Sequence, residues 1–462
     1  MKVLKFGGTS VGSVESLRSV KNIVESNPAP QIVVVSALGG LTDRLIATAH
    51  KAADGDESYR DDIVSFAERH NAIIDEMVPE ERRGETRKTI DDLFTSLARN
   101  YDGVFLLRDL PSHILDVIVS FGERMSSVIV TAMINGAIRF DSLDFVKTEN
   151  WYSKNIADQK LTTKLIKKTF QGFNGLAIVP GFISTDRETG AITNLGRGGS
   201  DFTAALIAAA LDASILEIWT DVDGFMSADP RIIPDARVMP AMSFIESMEL
   251  CSFGAKVIYP PTIYPVFHKN IPIKILNTFN PTAPGTLITD RHEDKYTESN
   301  GVSSATGIKG VSSIKGITLF NIAVNEMRAT RQLRSRALNV LAKRGITVLQ
   351  ATREENEPVL SFAVSSADSE TVTTLLSSEF APELSKAVVK SITGKSGLAV
   401  VAVVGEGMKE RNRLAPRILN SLNRDSINVE SYSHRSSATT LSFVIDEESV
   451  PRALRIIHSL LF

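Results

Sequence analysis

Val3-Leu4-Lys5-Phe6-Gly7-Gly8-Thr9-Ser10 reads as a short strand that stops at a pair of glycines, ahead of a helical pattern from about Ser13 to Ser26. Gln31-Ile32-Val33-Val34-Val35 repeats the plan: an apolar β-branched run, the small-residue turn Ser36-Ala37-Leu38-Gly39-Gly40, then a second helix from Thr42. Unbroken apolar strands alternating with helices indicate a parallel sheet covered on both faces, because such strands have no polar side to turn to water. Leu176–Pro180, Ala191–Thr193, Ile215–Thr220 and Ile273–Leu276 continue the strand series, and the fold class is α/β. The charged stretch from about Asp54 to Asn100 is helical in pattern and poor in turn signals, so it reads as a helical insertion.

At ~150 residues per domain, 462 residues suggest about three domains. The 51 Lys+Arg and 54 Asp+Glu leave a net charge of −3, without the basic footprint that a nucleic-acid partner requires. The single cysteine, Cys251, excludes an intrachain disulfide and fits a reducing compartment. Lys2 and Lys5 interrupt the first apolar run, so no signal peptide is read there. No uncharged apolar run approaches the ~18 residues of a membrane span. The expectation is a cytoplasmic protein with neither a membrane nor a nucleic-acid partner.

Asn280-Pro281-Thr282-Ala283-Pro284-Gly285-Thr286 and the polar stretch after it mark a boundary. This sets off residues 1–290, with a linker over 291–304. Beyond it Arg336-Ala-Leu-Asn-Val-Leu-Ala-Lys-Arg-Gly-Ile-Thr-Val348 aligns without gaps on Arg417-Ile-Leu-Asn-Ser-Leu-Asn-Arg-Asp-Ser-Ile-Asn-Val429. The same offset of 81 places Leu360-Ser361-Phe362 on Leu441-Ser442-Phe443, Met327 on Met408 and Ile317–Val324 on Leu398–Gly405. One offset held over separated blocks is an internal repeat. The two copies cover 305–392 and 393–462. Each reads strand, helix, strand, strand, helix, a βαββαβ-like sandwich whose last strand is not evident.

Lys5–Ser10, Ser36–Thr42 and Leu195-Gly196-Arg197-Gly198-Gly199-Ser200-Asp201 share one chemistry, each following a strand and preceding a helix. Glycine lets backbone N–H groups converge on an anion, and a helix N-terminus adds partial positive charge. Three such turns suit a polyphosphate and a second anionic group; the alternative is ordinary strand-to-helix turns. No G-x-x-x-x-G-K-[ST], G-x-G-x-x-G or protein-kinase signature is present, so a nucleotide enzyme here uses another fold. Lys5 and Lys256 suit the oxygens of a transferring phosphoryl group, with Asp201 holding a lysine or a magnesium-bound water. The alternative for Lys256 is a solvated helix residue. Thr220-Asp221-Val222-Asp223-Gly224-Phe225-Met226 and Asp229-Pro230-Arg231 suit a nucleoside pocket, or a plain turn. Phe121-Gly122-Glu123-Arg124-Met125-Ser126 reads as the opening of a helix, where Glu123 suits a substrate ammonium or, as a first-turn carboxylate, the helix dipole. Arg197 offers a carboxylate a bidentate fork.

These motifs, with Phe121-Gly122-Glu123-Arg124 and Phe253-Gly254-Ala255-Lys256-Val257, closely resemble those of aspartokinases. The phrasing of Asp221–Gly224 and Asn280–Thr286 is most similar to the kinase-plus-ACT portion of bifunctional aspartokinase–homoserine dehydrogenases. The resemblance implies an amino-acid-kinase three-layer αβα sandwich with a mainly parallel sheet, plus two C-terminal α+β ferredoxin-like ACT domains. It implies ATP-dependent phosphorylation of the β-carboxylate of L-aspartate with Mg2+, the first step toward lysine, threonine and methionine. It also implies a homodimer or higher homo-oligomer through the ACT repeats. Lys5, Gly7, Gly8, Ser10 and Gly199 would contact phosphates, with Asp201 organising the lysines. Thr220, Asp221, Met226, Arg231, Lys256 and Val257 would lie at the nucleotide. Ser36, Thr42, Glu123, Arg197, Gly198 and Ser200 would hold aspartate, and Met327, Ile346, Val348 and Glu357 an effector. No protein metal ligands are implied.

The sequence departs from the family pattern at Met226, where many relatives carry tyrosine. It departs again at Arg353–Glu357 and Ser433–Ala438, where regulatory runs rich in serine are usual, and in lacking a glycine before each repeat's first helix. The added bulk and charge argue against feedback by threonine or lysine. In the bifunctional relatives a homoserine dehydrogenase follows the second repeat, and nothing in these residues supplies that activity. The competing readings are a kinase for another amino acid and a non-catalytic amino-acid sensor.

Overall fold

The computed structural model describes all residues except 28–29, 152–153, 291–306, 326–329, 352–358, 407–413 and 435–438. The chain forms two compact units. The first comprises Met1–Phe225, Val238–Phe244 and Val257–Tyr296; the second comprises Met226–Arg237, Ile245–Lys256 and Thr297–Phe462. Among the described residues no helix is long and apolar enough to cross a membrane.

The first unit runs β1 (Lys2–Phe6), α1 (Val14–Glu25), β2 (Gln31–Val35), α2 (Leu41–Asp54), α3 (Tyr59–Met77), α4 (Glu80–Leu107), α5 (Ser112–Met133), β3 (Ala137–Arg139), α6 (Ser142–Phe145), β4 (Lys147–Trp151), β5 (Lys154–Ala157) and α7 (Gln159–Thr169). It continues with β6 (Leu176–Pro180), β7 (Ile183–Asp186), β8 (Ile192–Asn194), α8 (Gly199–Ala210), β9 (Leu216–Thr220), β10 (Ala241–Met242), the start of α9 (Phe244–Ser252), α10 (Tyr264–Phe267), β11 (Ile273–Asn277) and β12 (Thr286–Ile288). The main sheet has the order β10-β12-β11-β9-β1-β2-β6-β3. Only the β11–β12 pairing is antiparallel. From β1 the chain builds outward through β2 and β6, then returns to the other side of β1 with β9 and β11. That reversal puts a crevice at the carboxyl end of β1, where open α/β sheets bind ligands.

Every residue of β2 is buried, as an unbroken apolar run requires. The expected insertion is α3 and α4, which bury Tyr59, Phe66, Ile74, Leu97 and Tyr101 in one core with Val33 and Phe6. One strand expectation is corrected. Ala191–Thr193 does not join the parallel series; β8 edges a second sheet of order β5-β4-β7-β8. The cause is a tight turn, since the Asp186 amide donates to Ala191 O at 2.8 Å and Gly190 takes φ +70°, folding β8 back antiparallel on β7.

The second unit contains β13 (Gly310–Val324), α11 (Thr330–Lys343), β14 (Gln350–Ala351), β15 (Val359–Ser365), α12 (Ser369–Glu379), α13 (Ala381–Ser385), β16 (Val389–Val404), α14 (Leu414–Arg424), β17 (Val429–His434), β18 (Thr440–Asp446) and α15 (Val450–Leu461). Its sheet has the order β14-β15-β13-β16-β18-β17. Here lies the strand missing from each repeat. β13 from Ile317 onward pairs with β15 and with the first half of β16, whereas Gly310–Ile314 pairs with the second half of β16, beside β18. Each repeat thus completes its sheet with part of the other's long strand. Both long strands turn at the crossover through a left-handed glycine, Gly316 at φ +69° and Gly397 at φ +75°, positions related by the same offset. The edge strands meet, because the Gln350 amide donates to Ser431 Oγ at 3.1 Å, so the sheet is curled nearly closed.

Segments from the first 290 residues are built into this unit. Ala228 and Ile233 pack in the core of Val401, Ile418, Phe443 and Ile457. Ser227 Oγ lies 2.9 Å from His458 Nε2, and Thr440 Oγ1 donates to Glu249 at 2.9 Å.

Two expectations follow from the glycines. A Cβ on Gly122 in α5 would sit 2.7 Å from the Ala37 Cβ, whereas one on Gly84 in α4 would meet nothing within 4 Å. Gly122→Ala therefore destabilises by about 1–3 kcal/mol despite its better helix propensity, and Gly84→Ala stabilises by about 0.5–1 kcal/mol, as read by calorimetric melting. Gly397→Ala, forced into the left-handed region, costs about 1–2 kcal/mol. It lowers amide protection in β15 and β18 together, measured by hydrogen exchange.

Candidate active site

β1 delivers Lys5 to the carboxyl edge of the sheet, where Gly7 ends the strand by donating its amide to Trp219 O at 3.2 Å. α1 starts beyond the turn because Ser13 and Ser16 cap it reciprocally. The β2 turn runs alongside: the Ser36 amide donates to Phe6 O at 3.1 Å, and Gly40, at φ +75°, opens α2 with no side-chain cap. α8 starts the same way at Gly198, φ +72°, again without a side-chain cap. Uncapped first-turn N–H groups are the feature that lets a helix start receive an anion.

These turns fit together because they lack side chains. A Cβ on Gly12 or Gly39 would lie 3.0 or 2.9 Å from the Gly8 carbonyl oxygen, and one on Gly8 would lie 3.3 Å from Ala37 O. On the far wall a Cβ on Gly181 would strike Ser200 at 2.6 Å, and one on Gly199 would strike the Phe182 ring at 2.7 Å. Phe182 itself takes φ +69°, a strained conformation for a bulky residue, held by the Thr203 hydroxyl at 3.1 Å from its amide.

The walls enclose a cleft of about 390 Å³. Lys5, Gly8, Ser36, Thr42, Glu123, Arg197, Gly198, Gly199, Ser200 and Asp201, all expected at the site, line it together. Lys5 Nζ pairs with Asp201 Oδ1 at 2.6 Å, both side chains being nearly buried. Glu123, only 4% exposed, accepts the Ala37 amide at 3.1 Å through Oε1. Its Oε2 is buried with no hydrogen-bond partner among the described residues. Burial pushes this carboxyl up to about 8, with the Ala37 amide and Lys5 pulling the other way. Arg197 is exposed at the mouth.

Other expected residues stand elsewhere. Ser10 does not line the cleft; its hydroxyl is fully buried, 2.7 Å from Thr278 Oγ1 and 3.3 Å from Trp219 O. Gly7 supports the turn through the Trp219 bond. Thr220 Oγ1 donates to Asp221 at 3.2 Å at the end of β9. Val257 belongs to the first unit, and Met226, Arg231 and Lys256 to the second. Arg231 holds Asp229 through two bonds, 2.9 and 2.7 Å, keeping that carboxyl below its usual range. Ile346 packs in the first repeat's core with Val348 against it, while Met327 and Glu357 lie outside the described residues. Phe182 and Asp43 line the cleft without any signal in the sequence beyond their neighbours.

A family model described as the amino acid kinase family matches residues 1–277, and one for the ACT domain matches residues 401–461. A bifunctional aspartokinase/homoserine dehydrogenase of Haemophilus influenzae is 31% identical over 471 residues, covering 100% of this chain and 56% of that protein. Aspartokinase 2 of Arabidopsis thaliana, a chloroplastic protein, is 29% identical over 477 residues, covering 100% of this chain and 84% of its own. The chain thus spans about half the length of the first bifunctional relatives it matches. The crystal structure of E. coli aspartokinase III with aspartate and ADP superposes with a TM-score of 0.84 at 26% identity, covering 100% of both chains. Every residue lining the cleft falls inside the stretch that the kinase model matches, so fold, turns and sequence agree that the chain belongs to the amino acid kinase family.

Proposed function

We propose that this protein transfers the γ-phosphoryl group of ATP to the β-carboxylate of L-aspartate, giving 4-phospho-L-aspartate and ADP. The observation that carries the reading is Glu123. A fully buried carboxyl with one unpartnered oxygen, in a cleft that also holds the Lys5–Asp201 pair, is a receptor for a substrate ammonium beside a place for phosphate. The E. coli relative, solved with aspartate and ADP, supports it. A blocked amine would leave that oxygen unpaired, which disfavours acylated amino acids.

The chemistry needs little from the protein beyond placement. A carboxylate is already a nucleophile at neutral pH, so its oxygen attacks the γ-phosphorus in line. The bond to the β–γ bridging oxygen breaks, ADP leaves with the electron pair, and no proton changes hands. Lys5 neutralises charge on the transferring oxygens while Asp201 fixes the ammonium, and the start of α8 offers its amides. Arg197 and the Ser36–Thr42 turn receive the amino acid's carboxylates.

Among the described residues no group of three His, Cys, Asp or Glu is placed to hold a metal ion. Magnesium carried by nucleotide phosphates needs only one or two carboxylates, and Asp201 on the cleft wall suits that role. When bound it would supply further charge neutralisation on the phosphates. We also assign the protein to the cytoplasm and to homo-oligomers formed through the ACT repeats, whose edge strand β17 exposes Tyr432.

Two outcomes are expected. A coupled assay shows ADP release that depends on aspartate, and Lys5→Ala or Asp201→Ala lowers kcat by about 10²–10³-fold. Silence with aspartate across a panel of amino acids would sink the reading. Second, with its carboxyl near 8, Glu123 is protonated in the free protein at neutral pH, and an arriving ammonium ionises it. Binding therefore releases about one proton per site below pH 8, and affinity for aspartate rises up to about tenfold per pH unit between roughly pH 6 and 8 before levelling off. Calorimetry in buffers of different ionisation enthalpy reads this, and Glu123→Gln flattens it.

A further inference from the structure

Arg69 of α3, in the helical insertion, reaches the two turns whose contact forms one side of the cleft. Its Nη2 donates to Gly12 O at 2.7 Å and to Gly39 O at 3.0 Å. Among the described residues no acid pairs with it, so a half-buried guanidinium is committed to two backbone carbonyls. One carbonyl belongs to the β1–α1 turn, which carries Gly8 and follows Lys5. The other belongs to the β2–α2 turn, which carries Ser36 and Thr42. The turns already touch backbone to backbone at Gly8, Gly12 and Gly39, with no side chain between them to hold the contact. Carbonyl oxygens do not attract one another, and beyond the Ser36 amide bond to Phe6 O at the strand ends, Arg69 supplies a side-chain donor that bridges a carbonyl of each turn.

We propose that Arg69 is a positioning residue that fixes the distance between the phosphate wall and the amino-acid wall. The inference rests on the aspartate-kinase reading. In that reaction each wall binds its own substrate, and the rate depends on the gap between them; a displacement of about 1 Å can cost about 10²-fold. Loosening the clamp should leave each substrate bound but misaligned. The insertion then acts on the chemistry through a single side chain.

The test is Arg69→Met in the full chain. The expected result is a kcat lower by about 10–100-fold, with KM for ATP and for aspartate each within about threefold of the native values. Hydrogen exchange should rise in peptides covering residues 7–13 and 36–42. Added guanidinium should recover part of the rate in Arg69→Ala. If Arg69→Met does not fold, Arg69→Lys, which keeps the charge but carries its nitrogen on a shorter side chain, is read the same way and should show an intermediate loss. A kcat within twofold of native, or a raised KM for one substrate alone, overturns the proposal. Should the native protein fail to phosphorylate aspartate, the functional reading falls, and unchanged exchange in both turns would separately remove the clamp.

Discussion

The ion pair between Lys5 and Asp201 joins the central strand of the sheet to the first turn of α8 across the cleft. A pair so little exposed is poor evidence of net stability, because the desolvation of both charges offsets most of their attraction. Losing one partner is another matter, since it strands the other in a poorly solvated place at a cost of about 3–5 kcal/mol. The surrounding architecture keeps the two groups in register. α8 reaches Asp201 only by pressing Gly199 on Phe182 and Ser200 on Gly181, and Phe182 accepts a left-handed backbone there. Such strain, about 1–3 kcal/mol, persists where surrounding contacts over-determine it. In the proposed reaction a phosphate entering the cleft would meet an ammonium already aimed and already partly desolvated.

The glycines show how far a sequence can be read. Strand, glycine pair and helix are legible because apolar runs and breakers are local signals, and three such turns located the cleft. Their purpose is less legible. Gly40 and Gly198 are needed for their left-handed backbones, whereas Gly8, Gly12 and Gly39 are needed so that two turns can touch. Both demands look the same in one chain of letters. Ser10 shows the converse, for a serine beside glycines suggests a phosphate ligand, yet its hydroxyl bonds Thr278, a neighbour far along the chain.

Long-range partnerships were the illegible part. Nothing between Met226 and Arg237 announces that Ala228 and Ile233 will enter the core of the second repeat, since most of that core, from Ala399 to Leu461, lies far along the chain. Ala191–Thr193 has a strand's composition, but the turn at Gly190 decides which sheet receives it. Phe121–Ser126 reads as the opening of a helix with Glu123 in its first turn, whereas α5 already begins at Ser112 and carries Glu123 in its middle, away from the helix N-terminus. Its burial, and hence its proton, depends on α5 being packed against the β2 turn at Gly122.

The offset that revealed two copies in the C-terminal part also hides how they are joined. Because β13 and β16 each serve both copies, the unit of inheritance is the pair. A recombination point between residues 325 and 388 would hand one descendant a sheet with a vacant edge and the other an extra half-strand. The copies are inseparable as they stand, and transplanting them would require moving 310–462 as one piece, along with the short segments upstream that their core has annexed.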